Sequence, residues 1–217
     1  MLKCPVTVVD YGLGNLFSIG RAFNHLGVSA DITSNPEAIR QAGRLVLPGV
    51  GAFGDGIRQL QERGLIEPIQ EFARSGRPLL GICLGMQLLF DESEEFGQYN
   101  GLGLIKGRVI RLKDQDQTGN HVKLPHIGWN ELHQPQYSDQ WGPPALDGLV
   151  DGDAVYFVHS FIPHPELDSV TIARMSYGGH WYCAAVQKDN VVGVQFHPEK
   201  SGEVGLRILQ NFLDNTV

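Results

Sequence analysis

Three groups of residues carry the types and spacing that chemistry needs. The first is Gly81-Ile82-Cys83-Leu84-Gly85, inside "PLLGICLGMQLLF" (78–90). A nucleophile raised on a sharp strand-to-helix turn needs small residues two places away on each side, because larger side chains would collide in the turn. The start of the helix that follows offers free N–H groups and a positive dipole end, which favour the ionised thiol and hold an oxyanion. On these residues alone Cys83 has three readings: a nucleophile, a redox or metal thiol, or a core thiol beside glycines that only allow packing. The second group is His197-Pro198-Glu199, after the apolar run "VVGVQF" (191–196). Pro198 excludes a helix interior and predicts extended chain, in which residues two apart project to one side, about 6.5–7 Å apart along the strand. The carboxylate can then fix the imidazole tautomer and support the imidazolium. A solvated surface loop is the plain alternative. The third group is "LPGVGAFG" (47–54), a glycine-rich loop after a strand. It either brings a backbone N–H close to a ligand or is an ordinary tight turn.

Other features point away from rival chemistries. "DYGLGNLFS" (10–18) begins like a dinucleotide fingerprint, but Phe17 stands where the third glycine belongs. Cysteines occur at 4, 83 and 183, with no C-x-x-C pair. An odd count of scattered thiols argues against a disulfide framework and a cysteine zinc site, so Cys4 and Cys183 read as structural thiols. His25, His121, His126, His133, His164 and His180 read as solvated or locally hydrogen-bonded, and neither a metal nor a cofactor is expected. The net charge of −7 and scattered basic residues weigh against a nucleic-acid partner. No apolar stretch approaches the ~20 residues of a membrane span, and the first residues do not read as a signal peptide. A soluble, cytoplasmic protein is expected.

The elements that must position these groups alternate in the first half. Strands are expected at 6–10, 30–34, 44–49 and 78–83. Helices are expected in "NLFSIGRAFNHLG", capped by Asn15 and stopped by Gly27, in "PEAIRQAG", in "DGIRQLQERGLIEPIQEFARSG" with breaks around Gly64 and Pro68, and from "LGMQLLFDES". Near-continuous apolar strands between helices imply an α/β fold, with a mostly parallel central sheet covered on both faces and ligands beyond the carboxyl ends of its strands. The second half reads as an antiparallel, strand-rich portion with strands at 103–112, 124–132, 154–161, 169–178, 182–188 and 191–196, before a last helix at 202–215. Residues 113–120 and 133–144 are expected to be the least ordered. At 217 residues and 42% hydrophobic, the chain reads as a single domain, 1–217.

The three groups occur together, in a fixed order, along essentially the whole chain. With "GICLGMQ" and "GVQFHPEKS" this resembles the class I (triad-type) glutamine amidotransferases. Within that family, "DYGLGNL", Met86 where several relatives have histidine, "PHIGWN" (125–130), "YFVHSF" (156–161) and Lys200 directly after Glu199 resemble the glutaminase subunits of histidine biosynthesis. The resemblance implies a Cys83–His197–Glu199 triad acting on glutamine. It implies oxyanion donors at Leu84, Val50 and Gly51, and a substrate held by Gln87, Glu95 and the main chain at His159, Ser160 and Phe161. It implies a heterodimer with a (β/α)₈-barrel cyclase that uses the ammonia to make imidazole glycerol phosphate and an aminoimidazole carboxamide ribonucleotide. Docking is then expected at 10–16, 125–130 and Lys200–Ser201, with Asn15, Trp129, Asn130 and Lys200 at the interface. Docking is expected to turn the Val50–Gly51 peptide. The alternatives are a glutaminase subunit of another amidotransferase, a stand-alone cysteine hydrolase, or a binding module that keeps the fold without the site.

Overall fold

The computed structural model describes residues 5–135, 141 and 144–214. Cys4 and part of the 133–144 stretch lie outside them. In chain order the elements are β1 (Val6–Val9), α1 (Leu16–His25), β2 (Ala30–Thr33), α2 (Pro36–Gln41), β3 (Leu45–Leu47), α3 (Phe53–Glu62), α4 (Ile66–Arg74), β4 (Leu79–Ile82), α5 (Leu84–Leu88), β5 (Phe90–Ser93), β6 (Tyr99–Asn100), β7 (Ile105–Arg111), β8 (His126–Glu131), β9 (Ala154–His159), β10 (Phe161–Pro165), β11 (Thr171–Tyr177), β12 (His180–Lys188), β13 (Val191–Val194) and α6 (Gly202–Asp214).

The fully buried strands form the middle of a seven-stranded sheet, ordered β11-β12-β13-β4-β3-β1-β2. β2, β1, β3, β4 and β13 run parallel, and β12 and β11 extend the sheet in antiparallel fashion. β1, β3, β4 and β13 are buried at every residue, as strands covered on both faces must be. On one face, Ile19 and Phe23 of α1 join Ile208, Leu209 and Phe212 of α6. The other face carries Ile39 of α2, Phe53 and Leu60 of α3, Ile69 and Phe72 of α4 and the apolar side of α5, with Ile105 and Val109 of a second sheet, β10-β7-β5-β6. A hairpin of β8 and β9 stands apart from both sheets. Among the described residues no helix is long and apolar enough to cross a membrane.

Three expectations change. The helix after Cys83 ends at Leu88, and residues 90–93 form β5. The returning chain at 101–105 donates to the carbonyls of Leu88, Leu89 and Phe90, which a longer helix would have used. Gly101 permits that approach, since a Cβ there would lie 2.1 Å from the Phe90 oxygen. Pro68 does not break a helix: it lies in the first turn of α4, where its missing N–H costs nothing, and the break is at Gly64 (φ +66°). The strand expected over 154–161 is two strands, because at Ser160, whose carbonyl accepts from Leu112 N–H, the chain leaves the hairpin for the second sheet. Residues 113–120 form a tight turn held by Asp116, which accepts from the backbone of Thr118 and Asn120 at 2.8 and 2.9 Å. A smaller change concerns Asn15, which stands at the start of α1 without a side-chain cap.

The glycines of the turn after β4 are steric necessities. A Cβ at Gly85 would lie 1.8 Å from the Leu47 oxygen, and one at Gly81 would lie 2.9 Å from the Gly85 carbonyl. Gly20, within α1, has open space, with only Ile32 at 4.0 Å. Gly85→Ala is expected to destabilise the protein by about 3 kcal/mol, the upper range for overpacking, because a backbone carbonyl cannot step aside. Gly20→Ala is expected to be neutral or to stabilise by up to about 1 kcal/mol through helix propensity. Urea denaturation of both variants checks this, and equal effects would refute it.

Candidate active site

Four strand ends meet above the sheet: β1 before Asp10-Tyr11, β3 before Pro48-Gly49-Val50-Gly51, β4 before Cys83, and β13 before Gln195-Phe196-His197. Cys83 is buried and has φ +55° and ψ −112°, the conformation of a strained turn. Its N–H donates to the Val194 carbonyl at 2.8 Å, which ties the turn to β13. Parallel pairing of Ile82 with Val194 sets Gln195 beside Cys83, and His197 follows two residues on.

His197 and Glu199 meet, by a different route from the one expected. The chain is extended only through His197; Pro198–Lys200 is a 3₁₀ turn, which the fixed φ of Pro198 suits. Across this turn Nδ1 of His197 lies 2.8 Å from Oε1 of Glu199, and both side chains are buried. The His197 N–H donates to the Tyr156 carbonyl at 2.9 Å. Ser201 Oγ donates to the His197 carbonyl at 2.6 Å and accepts from Tyr156 N–H at 3.0 Å. The histidine is thus fixed from both ends. Burial alone would make its imidazole a poorer base. The Cys83 sulfur and Glu199 outweigh burial, and the pKa rises to about 10. Nε2 of His197 is buried and has no hydrogen-bond partner among the described residues. The raised basicity of His197 favours its imidazolium form, with the Glu199 carboxylate placed at Nδ1.

The surrounding pocket measures about 140 Å³. Its walls include Val50, Gly51, Cys83, Leu84, Gln87, Glu95, Val158, His159, Ser160, Phe161 and His197. The expected catalytic, oxyanion and substrate positions therefore converge in one place. Gln87 Nε2 donates to the Phe161 carbonyl at 2.9 Å and to Gln195 Oε1 at 3.0 Å. Glu95 accepts from the Phe53 N–H at 2.7 Å, at the start of α3. Burial raises its carboxyl above the ordinary range, against that hydrogen bond and helped by Asp55.

All three expected oxyanion positions, Leu84, Val50 and Gly51, line the pocket, but the Leu84 and Val50 N–H groups are spent on other carbonyls. Leu84 N–H donates to the Gly49 carbonyl, and Val50 N–H donates to the Leu13 carbonyl, both at 3.3 Å. One peptide, Gly49–Val50, thus accepts from one side and donates to the other. It lies one position earlier than the Val50–Gly51 peptide expected to move. With α5 only five residues long, its dipole is weaker support for the thiolate than a full helix would be.

Of the residues expected at an interface, Trp129 and Lys200 lie together. The Trp129 ring meets Tyr156 edge-on at 6.3 Å, and Lys200 Nζ lies 5.7 Å over the same tyrosine ring. Trp129 is 58% exposed and Phe17, on α1 beside Asn15, is 74% exposed. Asn130 instead points inward, donating to the Ser176 carbonyl at 2.8 Å. Cys183, on β12, is buried; burial pushes its thiol up to about 12, against Thr171 and other neighbours that lower it.

Sequence reasoning missed two participants. Gln195 is fully buried, with Nε2 3.7 Å from Cys83 Sγ. Its signal was a lone polar residue at the end of an apolar strand, two before His197. The other is His126, read as solvated or locally bonded. It is buried, with Nδ1 3.4 Å from Nε2 of His159, and stacked against Phe157 and Tyr177. His159 Nδ1 lies 3.0 Å from the Phe161 carbonyl. Only register, which sets His126 opposite His159 in the hairpin, brings these rings together.

The comparisons with known proteins now bear on this geometry. The family model described as "Glutamine amidotransferase class-I" matches residues 7–216. A solved structure of PurLQS from Thermotoga maritima superposes with a TM-score of 0.72 at 21% identity, covering 98% of each chain, and so supports the fold. The chain belongs to the class-I glutamine amidotransferase family. Its curated relatives narrow the placement. The imidazole glycerol phosphate synthase subunit HisH of Syntrophotalea carbinolica is 51% identical over 96% of this chain and 99% of its own length. That of Legionella pneumophila is 49% identical over 96% and 98%. Within the family the chain stands among these HisH subunits.

His126 and His159 make a test of the site's electrostatics. Burial lowers the pKa of His126 to about 4. Burial first, with His126 and His197 adding to it, lowers that of His159 to about 3, against the Phe161 carbonyl. Both stay neutral when folded and take a proton near pH 6.5 when unfolded. Their contribution to stability is complete above about 6.5 and is lost as pH falls toward 4, by up to about 1.4 kcal/mol per pH unit for each. Urea midpoints measured down this range should fall, and His126→Gln should make the fall less steep. An unchanged slope in the variant would sink this assignment.

Proposed function

We propose that the protein is the glutaminase half of an imidazole glycerol phosphate synthase, hydrolysing glutamine to glutamate and ammonia for a partner cyclase. One observation carries the reading: a buried Cys83, His197 and Glu199 array opening on a pocket of about 140 Å³. That is below the roughly 300–1,000 Å³ of sites for drug-sized ligands, and suits one amino acid better than a peptide.

The chemistry runs in balanced steps. Cys83 thiolate attacks the glutamine carboxamide carbon, and the C=O electron pair moves to oxygen. As the tetrahedral intermediate collapses, the C–N bond breaks and His197 gives its Nε2 proton to the departing ammonia. The neutral imidazole then takes a proton from water. The hydroxide attacks the thioester, and glutamate leaves as the thiolate returns. Glu199 keeps the ring oriented throughout. Gln87 Oε1, Glu95 and the main chain of 159–161 hold the substrate.

The oxyanion is held by the Leu84 and Val50 N–H groups after the Gly49–Val50 peptide turns over. That one rotation frees Leu84 from the Gly49 oxygen and Val50 from Leu13. Two hydrogen bonds of about 0.5–1.5 kcal/mol each favour the resting form, so docking must supply the difference. The docking face carries Asn15, Phe17, Trp129 and Lys200, and the partner is a (β/α)₈-barrel cyclase that forms a heterodimer and receives the ammonia before it is protonated. A reducing compartment such as the cytoplasm suits the free thiol.

Glutamine turnover measured with the cyclase and its nucleotide should greatly exceed turnover of the subunit alone. Equal rates would remove the coupling. Cys83→Ala should abolish both, whereas loss of a single oxyanion donor should cost about 10²–10³-fold. Persisting hydrolysis in Cys83→Ala would exclude the mechanism.

A further inference from the structure

Gln195 is fully buried, directly after the apolar residues of β13, and the mechanism above does not use it. Its amide bridges two parts of the site. Oε1 accepts from Gln87 Nε2 at 3.0 Å, and Nε2 lies 3.7 Å from Sγ of Cys83. The direction of this chain follows from its origin. The Phe161 carbonyl can only accept, so Gln87 must turn its NH₂ toward it, at 2.9 Å. The second hydrogen of that NH₂ meets Gln195, which must answer with its oxygen. The NH₂ of Gln195 is then left facing the sulfur. A flipped Gln195 would set two NH₂ groups against each other in a dry interior, leaving buried donors unpaired.

An N–H aimed at sulfur stabilises the anion more than the neutral thiol, because hydrogen bonds to charged acceptors are about twice as strong. His197 approaches the same atom with its own positive charge. We propose that Gln195 is a donor to the nucleophile: its amide N–H holds the Cys83 thiolate, and the Phe161–Gln87–Gln195 relay fixes the direction of that bond. The relay also ties the thiolate to the substrate pocket, since Gln87 and Phe161 both line it. This rests on Cys83 being the nucleophile of the proposed glutaminase.

The test uses the purified full-length chain and two variants. Gln195→Met keeps the side-chain length and removes the donor. Gln195→Glu is nearly isosteric, keeps the acceptor that Gln87 needs, and replaces the donor with a carboxylate. Alkylation of Cys83 by iodoacetamide is followed across pH by mass spectrometry of the Cys83 peptide, with circular dichroism as the folding control. Both variants should alkylate about 10–100-fold more slowly near neutral pH, as expected for losing a hydrogen bond to a charged group. The rising limb of the pH profile should move to higher pH, furthest for Gln195→Glu. A residue that only fills space would leave the profile unmoved, so wild-type profiles in the folded variants would overturn the proposal. Alkylation needs no turnover: a shifted profile with no glutamine hydrolysis by wild type even in the presence of the cyclase and its nucleotide would sink the glutaminase reading alone, and an unshifted profile with hydrolysis intact in that complex would sink the role of Gln195 alone.

Discussion

Everything at this site depends on one strained backbone position. Cys83 is held at φ +55° between two glycines packed against the main chain. Such a conformation costs on the order of 1–3 kcal/mol and persists only where its surroundings over-determine it. Here they do so three times. The Cys83 N–H is bonded to β13, the Cys83 carbonyl accepts from Gln87 N–H, and Gly85 rests against the end of β3. A relaxed turn would point the sulfur elsewhere, and the His197 imidazole and Gln195 amide would face nothing.

The same pocket shows how neighbours, rather than residue type, decide protonation. His197 and His159 are both buried, and His159 feels the charge of His197. One is held as the cation by a sulfur and a carboxylate. The other is held neutral by burial, with no acid against it. A positive charge on both would be prohibitive in so dry a space. The polar chain His126–His159–Phe161–Gln87–Gln195 therefore reaches the Cys83 sulfur through uncharged groups.

The resting peptide at Gly49–Val50 gives the fold a second function for its glycines. Gly49 passes so close to Tyr11 that a Cβ would lie 2.2 Å from the phenol oxygen. Only a residue without a side chain fits there. The acceptor of Val50 N–H, Leu13, belongs to the loop leading into α1. That loop adjoins the exposed Phe17, so a partner pressing on this face would act on the carbonyl that restrains the oxyanion peptide. The proposed docking face and the proposed oxyanion peptide are thus joined by a single hydrogen bond.

Much of this was legible before any coordinates. Alternating apolar runs and helical periodicity follow from local sterics and burial, so the parallel half, the elbow glycines and the proximity of His197 to Glu199 could be read from spacing. Errors fell where distant backbone intervened. The helix after Cys83 stopped because residues 101–105 took its carbonyls, and 154–161 divided because Leu112 claimed Ser160. The sequence by itself determined the glycine-flanked turn at Cys83, the pairing of His197 with Glu199 and which strands must be buried. Only the tertiary structure decided that Gln195 faces the sulfur, that His126 meets His159, and that the Leu84 and Val50 N–H groups rest on other carbonyls. Those outcomes depend on register and on hydrogen-bond partners far apart in the chain, which no local pattern encodes.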